Sequence, residues 1–105
     1  MDRWNVDYIP QAANDLNKLD HSNQTVVLKA IDKVSTNPLP LSEGGYGKPL
    51  GTKNQSKLSG LLKIKLKKSG IRVIYKLIRT ERTMTILIIG IRSDNQVYKE
   101  VKKRL

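Results

Sequence analysis

Apolar and polar positions alternate from Arg3 to Ile9. Trp4, Val6 and Tyr8 share one face and Arg3, Asn5 and Asp7 the other, which predicts a short half-buried strand. Pro10 ends it and suits the first turn of a helix. Ala12, Ala13, Leu16 and Leu19 follow at helical spacing, so helix one is expected over Pro10–Leu19. The break Asp20-His-Ser-Asn23 offers several N-caps. Val26, Val27, Ala30, Ile31 and Val34 then form the stripe of a second helix over Ser22–Ser35, which Asn37-Pro38 stops. Residues 37–60 hold Pro38, Pro40, Gly44, Gly45, Gly47, Pro49, Gly51 and Gly60. Breakers at that density predict no regular element, and Gly44-Gly-Tyr-Gly47 reads as a flexible turn. A connection this long is usually functional or mobile.

Three strands come next: Leu61–Leu66, Ile71–Ile78 and, after a turn at Arg79–Arg82, Thr83–Ile91. The near-continuous apolar run Ile86–Ile91 marks a central strand buried on both faces. Val97, Val101 and Leu105 give the tail a narrow helical stripe over Asn95–Leu105. The order β-α-α-β-β-β-α predicts one α+β domain over residues 1–105. Its expected core is a four-stranded antiparallel sheet, mixed at the N-terminal strand, with the two-helix hairpin on one face and a C-terminal helix.

Within this pattern Lys63-Ile-Lys-Leu-Lys-Lys-Ser-Gly-Ile-Arg72 reads as strand, tight turn, strand. Ile64 and Leu66 share one face, Lys63 and Lys65 the other. Pairing across Ser69-Gly70 sets Leu66 against Ile71 and Lys65 against Arg72. Like charges directly opposite destabilise a sheet, so the arrangement implies an anionic ligand.

Charge deepens this picture. The net charge of +11 is distributed unevenly over the 105 residues. Residues 1–52 carry five Lys/Arg against six Asp/Glu, and residues 53–105 carry fifteen against three. A basic second half built of strands points to nucleic acid rather than to a membrane surface. No apolar run approaches the ~20 residues of a membrane span. Nor does the N-terminus carry a signal-peptide core, so a cytoplasmic location is expected. With no cysteine there is neither disulfide nor thiolate chemistry.

Other apparatus is also missing. His21 is the single histidine and sits in the inter-helix break. Asp15, Asp20 and Asp32 fall on helix surfaces or caps. No metal-ligand spacing and no phosphate loop appears, and no cofactor is expected. What remains is Lys63, Lys65, Arg72, Arg92 and Tyr98. Fixed cations stabilise the charge that gathers on a phosphorane, and a lysine crowded by cations can serve as general base. An aromatic ring can stack a splayed base. Such a set suffices for attack of an RNA 2′-hydroxyl on the adjacent phosphate.

At these residues the chain resembles the RelE branch of the RelE/ParE toxin superfamily. The matching text is Lys63-Ile-Lys65-Leu, Ser69-Gly70-Ile-Arg72-Val-Ile-Tyr75, Gly90-Ile-Arg92 and Val97-Tyr98, with Lys48-Pro-Leu-Gly51 ahead of the sheet. The resemblance implies a ribosome-dependent mRNA endonuclease, the toxin of a type II toxin–antitoxin pair, acting in the A site of the 30S subunit. By position it makes Lys65 the general base and Arg92 the residue assisting the leaving 5′-oxygen. Lys63 and Arg72 become clamps on the scissile phosphate, and Tyr98 orients the base. Lys67, Lys68, Lys102 and Lys103 are expected to contact substrate or ribosome. The implied partners are mRNA, the ribosome and a small acidic RelB-like antitoxin, with no membrane. The C-terminal helix, with its narrow stripe, is expected to be weakly held. Two other readings are a ParE-like inhibitor of DNA gyrase and a basic RNA-binding module without activity. The histidine and glutamate of other branches are absent, which fits the lysine-rich branch.

Overall fold

A computed structural model describes residues 3–50, 60–91 and 94–105. Strand β1 is Asn5–Tyr8, and helix α1 follows over Pro10–Lys18 with Pro10 in its first turn. Helix α2, His21–Ser35, starts at the Asp20 cap, whose carboxylate accepts from the Asn23 N–H at 2.8 Å. Strands β2 (Lys48–Pro49), β3 (Leu62–Lys65), β4 (Ile71–Ile78) and β5 (Thr83–Ile91) complete the sheet, and α3 (Asp94–Arg104) closes the fold.

The strands lie in the order β1-β5-β4-β3-β2. β1 runs parallel to β5, and every other neighbour is antiparallel. The sheet therefore has five strands, not the four expected. The extra one is β2, only two residues long and half proline, too short to show a period. The run Ile86–Ile89 does lie in a central strand and is buried.

Helices cover both faces. Ala12, Val27, Ile31 and Val34 of the helical hairpin pack on Leu62, Ile71, Val73, Tyr75, Met84, Ile86 and Ile89. On the opposite face Val97 and Val101 of α3 pack on Ile74, Leu87 and Ile88, with Leu50 and Leu61 beside them. Leu87 and Ile88 are consecutive yet face the same way. The register explains this: Tyr75 pairs with Ile86 and Ile74 with Ile88, leaving Leu87 as a bulge. Beyond it the alternation of β5 is inverted, so Gly90 stands opposite Arg72 on the α3 face.

Four more sequence expectations change in the structure. The Gly44–Gly47 segment is a built loop rather than a flexible turn. The Tyr46 N–H bonds to the Asn37 carbonyl at 3.0 Å, that of Gly47 to Leu39 at 3.0 Å, and that of Leu41 to Gly47 at 2.8 Å. A Cβ on Gly45 would collide with the Leu39 carbonyl, and one on Gly47 with the Tyr75 hydroxyl. That hydroxyl donates to the Pro38 carbonyl at 2.9 Å, and burial pushes its pKa well above the ordinary tyrosine value.

Asp15 is not a plain surface acid. Its carboxylate accepts from Arg104 at 2.7 Å and from the Ile89 backbone N–H at 3.1 Å, while Arg104 also donates to the Leu87 carbonyl at 2.8 Å. β1 pairs with β5 only as far as Ile86, so this ion pair satisfies backbone groups that β1 does not reach. Both side chains are nearly buried, at 12% and 10% exposure. Burial disfavours the Arg104 charge, but Asp15 and Glu100 outweigh that and hold its pKa above the ordinary value. α3 is thus held by a polar clasp as well as by its stripe, and is better attached than the stripe alone implied. Leu105, expected to extend that stripe, is 55% exposed.

Candidate active site

The site begins with the β3–β4 turn. Gly70 adopts φ +75°, a backbone conformation that suits glycine, and its N–H bonds to the Leu66 carbonyl at 2.8 Å. Leu66 donates to the Ile71 carbonyl at 2.9 Å. This fixes the register, and Lys65 lies directly opposite Arg72, as the hairpin pattern predicts. The Arg72 guanidinium also donates to the Gly70 carbonyl at 2.8 Å, which ties its position to the turn.

β2 adds a second cationic pair. Its register sets Lys48 opposite Lys63. In the pleat Lys63 and Lys65 take the face opposite Leu62 and Ile64, so Lys48, Lys63, Lys65 and Arg72 share the α3 face. Sequence reasoning placed Lys48 only in a long connection. The available signal was the family-like Lys48-Pro-Leu-Gly51 text, which marks a β edge where proline is tolerated.

α3 delivers Tyr98 to this face, where the ring packs beside the Val97/Val101 core. The Lys63 ammonium donates to the Tyr98 hydroxyl oxygen at 3.0 Å. The same ammonium is 5.7 Å from the ring centroid, so it sits beyond the hydroxyl end rather than over the π face. The ring face is therefore not occupied by this cation. The tyrosine oxygen accepts from Lys63, leaving its own proton to donate onward.

The structure thus brings Lys63 and Tyr98 into contact and pairs Lys65 with Arg72 on the same face. Arg92 lies outside the described residues. Lys67 and Lys68 are exposed in the turn after β3 and border a hollow with Asn23 and Val26 of α2. Lys102 and Lys103 are exposed on the last turn of α3. Gly90, opposite Arg72, has open space where a Cβ would project, so neither packing nor a positive φ requires glycine there. Among the described residues no three His, Cys, Asp or Glu side chains gather as metal ligands, and no helix is long and apolar enough to cross a membrane. His21, the lone histidine, is exposed at the start of α2.

Chemically, the described part of the site offers Lys48, Lys63, Lys65 and Arg72 with the hydroxyl and ring of Tyr98 on one face of the sheet. That set suits a phosphodiester and a base better than any neutral substrate. No protein-family model matches the chain, and no curated protein matches it. Solved structures do. The RelBE2 toxin–antitoxin complex of Mycobacterium tuberculosis contains a chain 25% identical, matched over 90% of this chain and 97% of that one, with a TM-score of 0.68. A variant of E. coli RelE in the free state is 21% identical over 99% of both chains, with a TM-score of 0.75. A RelE–RelB complex of Pyrococcus horikoshii OT3 is matched at 19% identity and a TM-score of 0.58.

The chain has the RelE toxin fold. Backbone and motif agree in supporting the RelE-like toxin superfamily. The Lys63–Tyr75 hairpin on which the sequence resemblance rests is the same hairpin that carries the cations.

Proposed function

We propose that this chain is the toxin of a toxin–antitoxin pair and that it cleaves mRNA in the ribosomal A site. The observation carrying this reading is the double like-charge pairing, Lys48 with Lys63 and Lys65 with Arg72, beside the Tyr98 hydroxyl. Fixed cations gathered on one face of a sheet beside a hydroxyl and a ring suit a polyanion that carries bases.

In this reading Lys65 is the general base that takes the proton from a ribose 2′-hydroxyl. O2′ forms a bond to the adjacent phosphorus while the bond to O5′ breaks and O5′ takes a proton from water, leaving a 2′,3′-cyclic phosphate and a free 5′-hydroxyl. Lys63 and Arg72 hold the non-bridging oxygens as they gain charge. Tyr98, with its hydroxyl held by Lys63, presents its ring to a base. Arg92, assigned by resemblance, stabilises the departing 5′-oxygen. The neighbouring structures include RelE with RelB-type antitoxins, which supports an antitoxin of that type as the second partner.

Primer extension on mRNA from cells expressing the chain tests the proposal. Cuts within translated codons are expected. Intact mRNA with arrested DNA synthesis would overturn it in favour of a gyrase-directed inhibitor.

A further inference from the structure

The Gly44–Gly47 loop has no part in the chemistry above, yet it is tightly built. Gly45 and Gly47 occupy positions where a Cβ has no room, so the backbone on either side of Tyr46 is fixed against Leu39, Pro38 and Tyr75. The residue displayed between them is an aromatic ring left 48% exposed. A rigid loop that leaves about half of a large ring in solvent forgoes part of what burying it would gain, and that calls for another use.

Its surroundings supply one. β2 pairs with β3 only at Leu62 and Lys63, so from Ile64 onward it does not cover the outer edge of β3. A cavity of about 260 Å³ opens there, lined by Tyr46, Lys48, Lys33 of α2, and Lys63 to Leu66 of β3. Among the described residues that line it, four are lysines and none is a carboxylate. The Lys33 ammonium lies 5.3 Å from the centroid of the Tyr46 ring. Lys48, Lys63 and Lys65 belong both to this cavity and to the cationic α3 face, so the two are continuous around the sheet edge.

We propose that Tyr46, with Lys33 and Lys48, forms a subsite for a nucleotide of single-stranded RNA next to the one held at Lys65 and Tyr98. A base stacks on Tyr46, and the flanking phosphates lie against the two lysines. Stacking fits because a base offers a π face whatever its identity. The absence of any carboxylate in the lining matches a polyanion and disfavours a basic peptide. The assignment rests on the reading of the α3 face as an RNA site, and it adds the direction in which the strand leaves that site.

The test uses an oligoribonucleotide of about eight nucleotides carrying 5-iodouridine, irradiated with the full chain. The photo-crosslink is expected on Tyr46. Tyr46→Ala should weaken anisotropy-measured binding by roughly 5- to 100-fold, with Tyr46→Phe retaining most of it. Lys33→Ala should reduce the steepness of the salt dependence. Circular dichroism of each variant separates lost binding from lost folding. A crosslink elsewhere, with unchanged affinity in a folded Tyr46→Ala chain, overturns the subsite. Cleavage on translating ribosomes is read separately. Codon cleavage with unaltered RNA affinity in Tyr46→Ala defeats the subsite alone, whereas a Tyr46 crosslink without cleavage defeats the nuclease reading alone.

Discussion

The two faces of one sheet are built on opposite principles. Under the helical hairpin, strands β3 to β5 present Leu62, Ile64, Ile71, Val73, Tyr75, Met84 and Ile86, an almost unbroken apolar surface. On the α3 face the same strands present Ile74, Leu87 and Ile88, and then Lys63, Lys65 and Arg72. Alternate residues of β3 and β4 therefore serve stability and chemistry in turn. The hydrophobic face fixes the register, and the register brings like charges together. A slip of one residue would exchange the faces and bury the lysines, which is why the pairing that repels is also the one the core enforces.

The largest expected effect is at the clasp that holds α3 on the charged face. Asp15→Ala leaves the nearly buried Arg104 with only Glu100 and the Leu87 carbonyl and removes the acceptor for the Ile89 N–H, a loss of up to about 3–5 kcal/mol. Urea unfolding measures it, and hydrogen exchange should rise in α3 before the rest of the fold. A value near zero would mean that α3 is held by Val97 and Val101 alone.

Next comes the hairpin face. Ile86→Ala empties a fully buried position and should cost about 2–5 kcal/mol, with cleavage per folded molecule unchanged. An activity loss larger than the loss of folded protein would couple the two faces more tightly than this account allows.

Tyr75→Phe should cost about 1–3 kcal/mol, because the buried Pro38 carbonyl loses its donor. It also changes the alkaline limb. Burial raises the folded-state pKa of Tyr75 above its ordinary value of 10.0, so its contribution is complete below pH 10.0. It is lost as pH rises beyond that and the unfolded chain ionises first. Stability against pH should fall less steeply above pH 10.0 in Tyr75→Phe than in the parent.

The smallest change in stability separates the faces most cleanly. Lys65→Leu removes the repulsion against Arg72 and should raise stability by up to about 1 kcal/mol. A destabilised variant would mean that Lys65 supports the fold.

Much of this was legible in the chain. The Lys63–Arg72 hairpin was, because period-two alternation on both sides of Ser69-Gly70 leaves a single register that turns Ile64 and Leu66 toward the core. Both hairpin helices were, through their stripes and Asp20. Three features were not. β2 has two residues, one of them Pro49, and its partner Lys63 lies beyond a connection dense in glycine and proline. The Leu87 bulge hides inside Ile86–Ile89, where every residue is apolar and alternation has nothing to show. The Asp15–Arg104 pair joins residues 89 apart in sequence, and each end alone looks like an ordinary helix-surface charge. In the site, the Lys65–Arg72 pair followed from the hairpin alone, whereas the Lys63–Tyr98 contact required the docking of α3.

The central claim is that the cations of the α3 face perform the chemistry, and that Lys65 among them does so without stabilising the fold. The most direct test is the single-turnover rate at which purified Lys65→Ala cleaves mRNA on programmed ribosomes. A rate lower by about 10²- to 10⁴-fold is expected, in a chain that melts no earlier than the parent. A folded Lys65→Ala chain that cleaves as fast as the parent contradicts it.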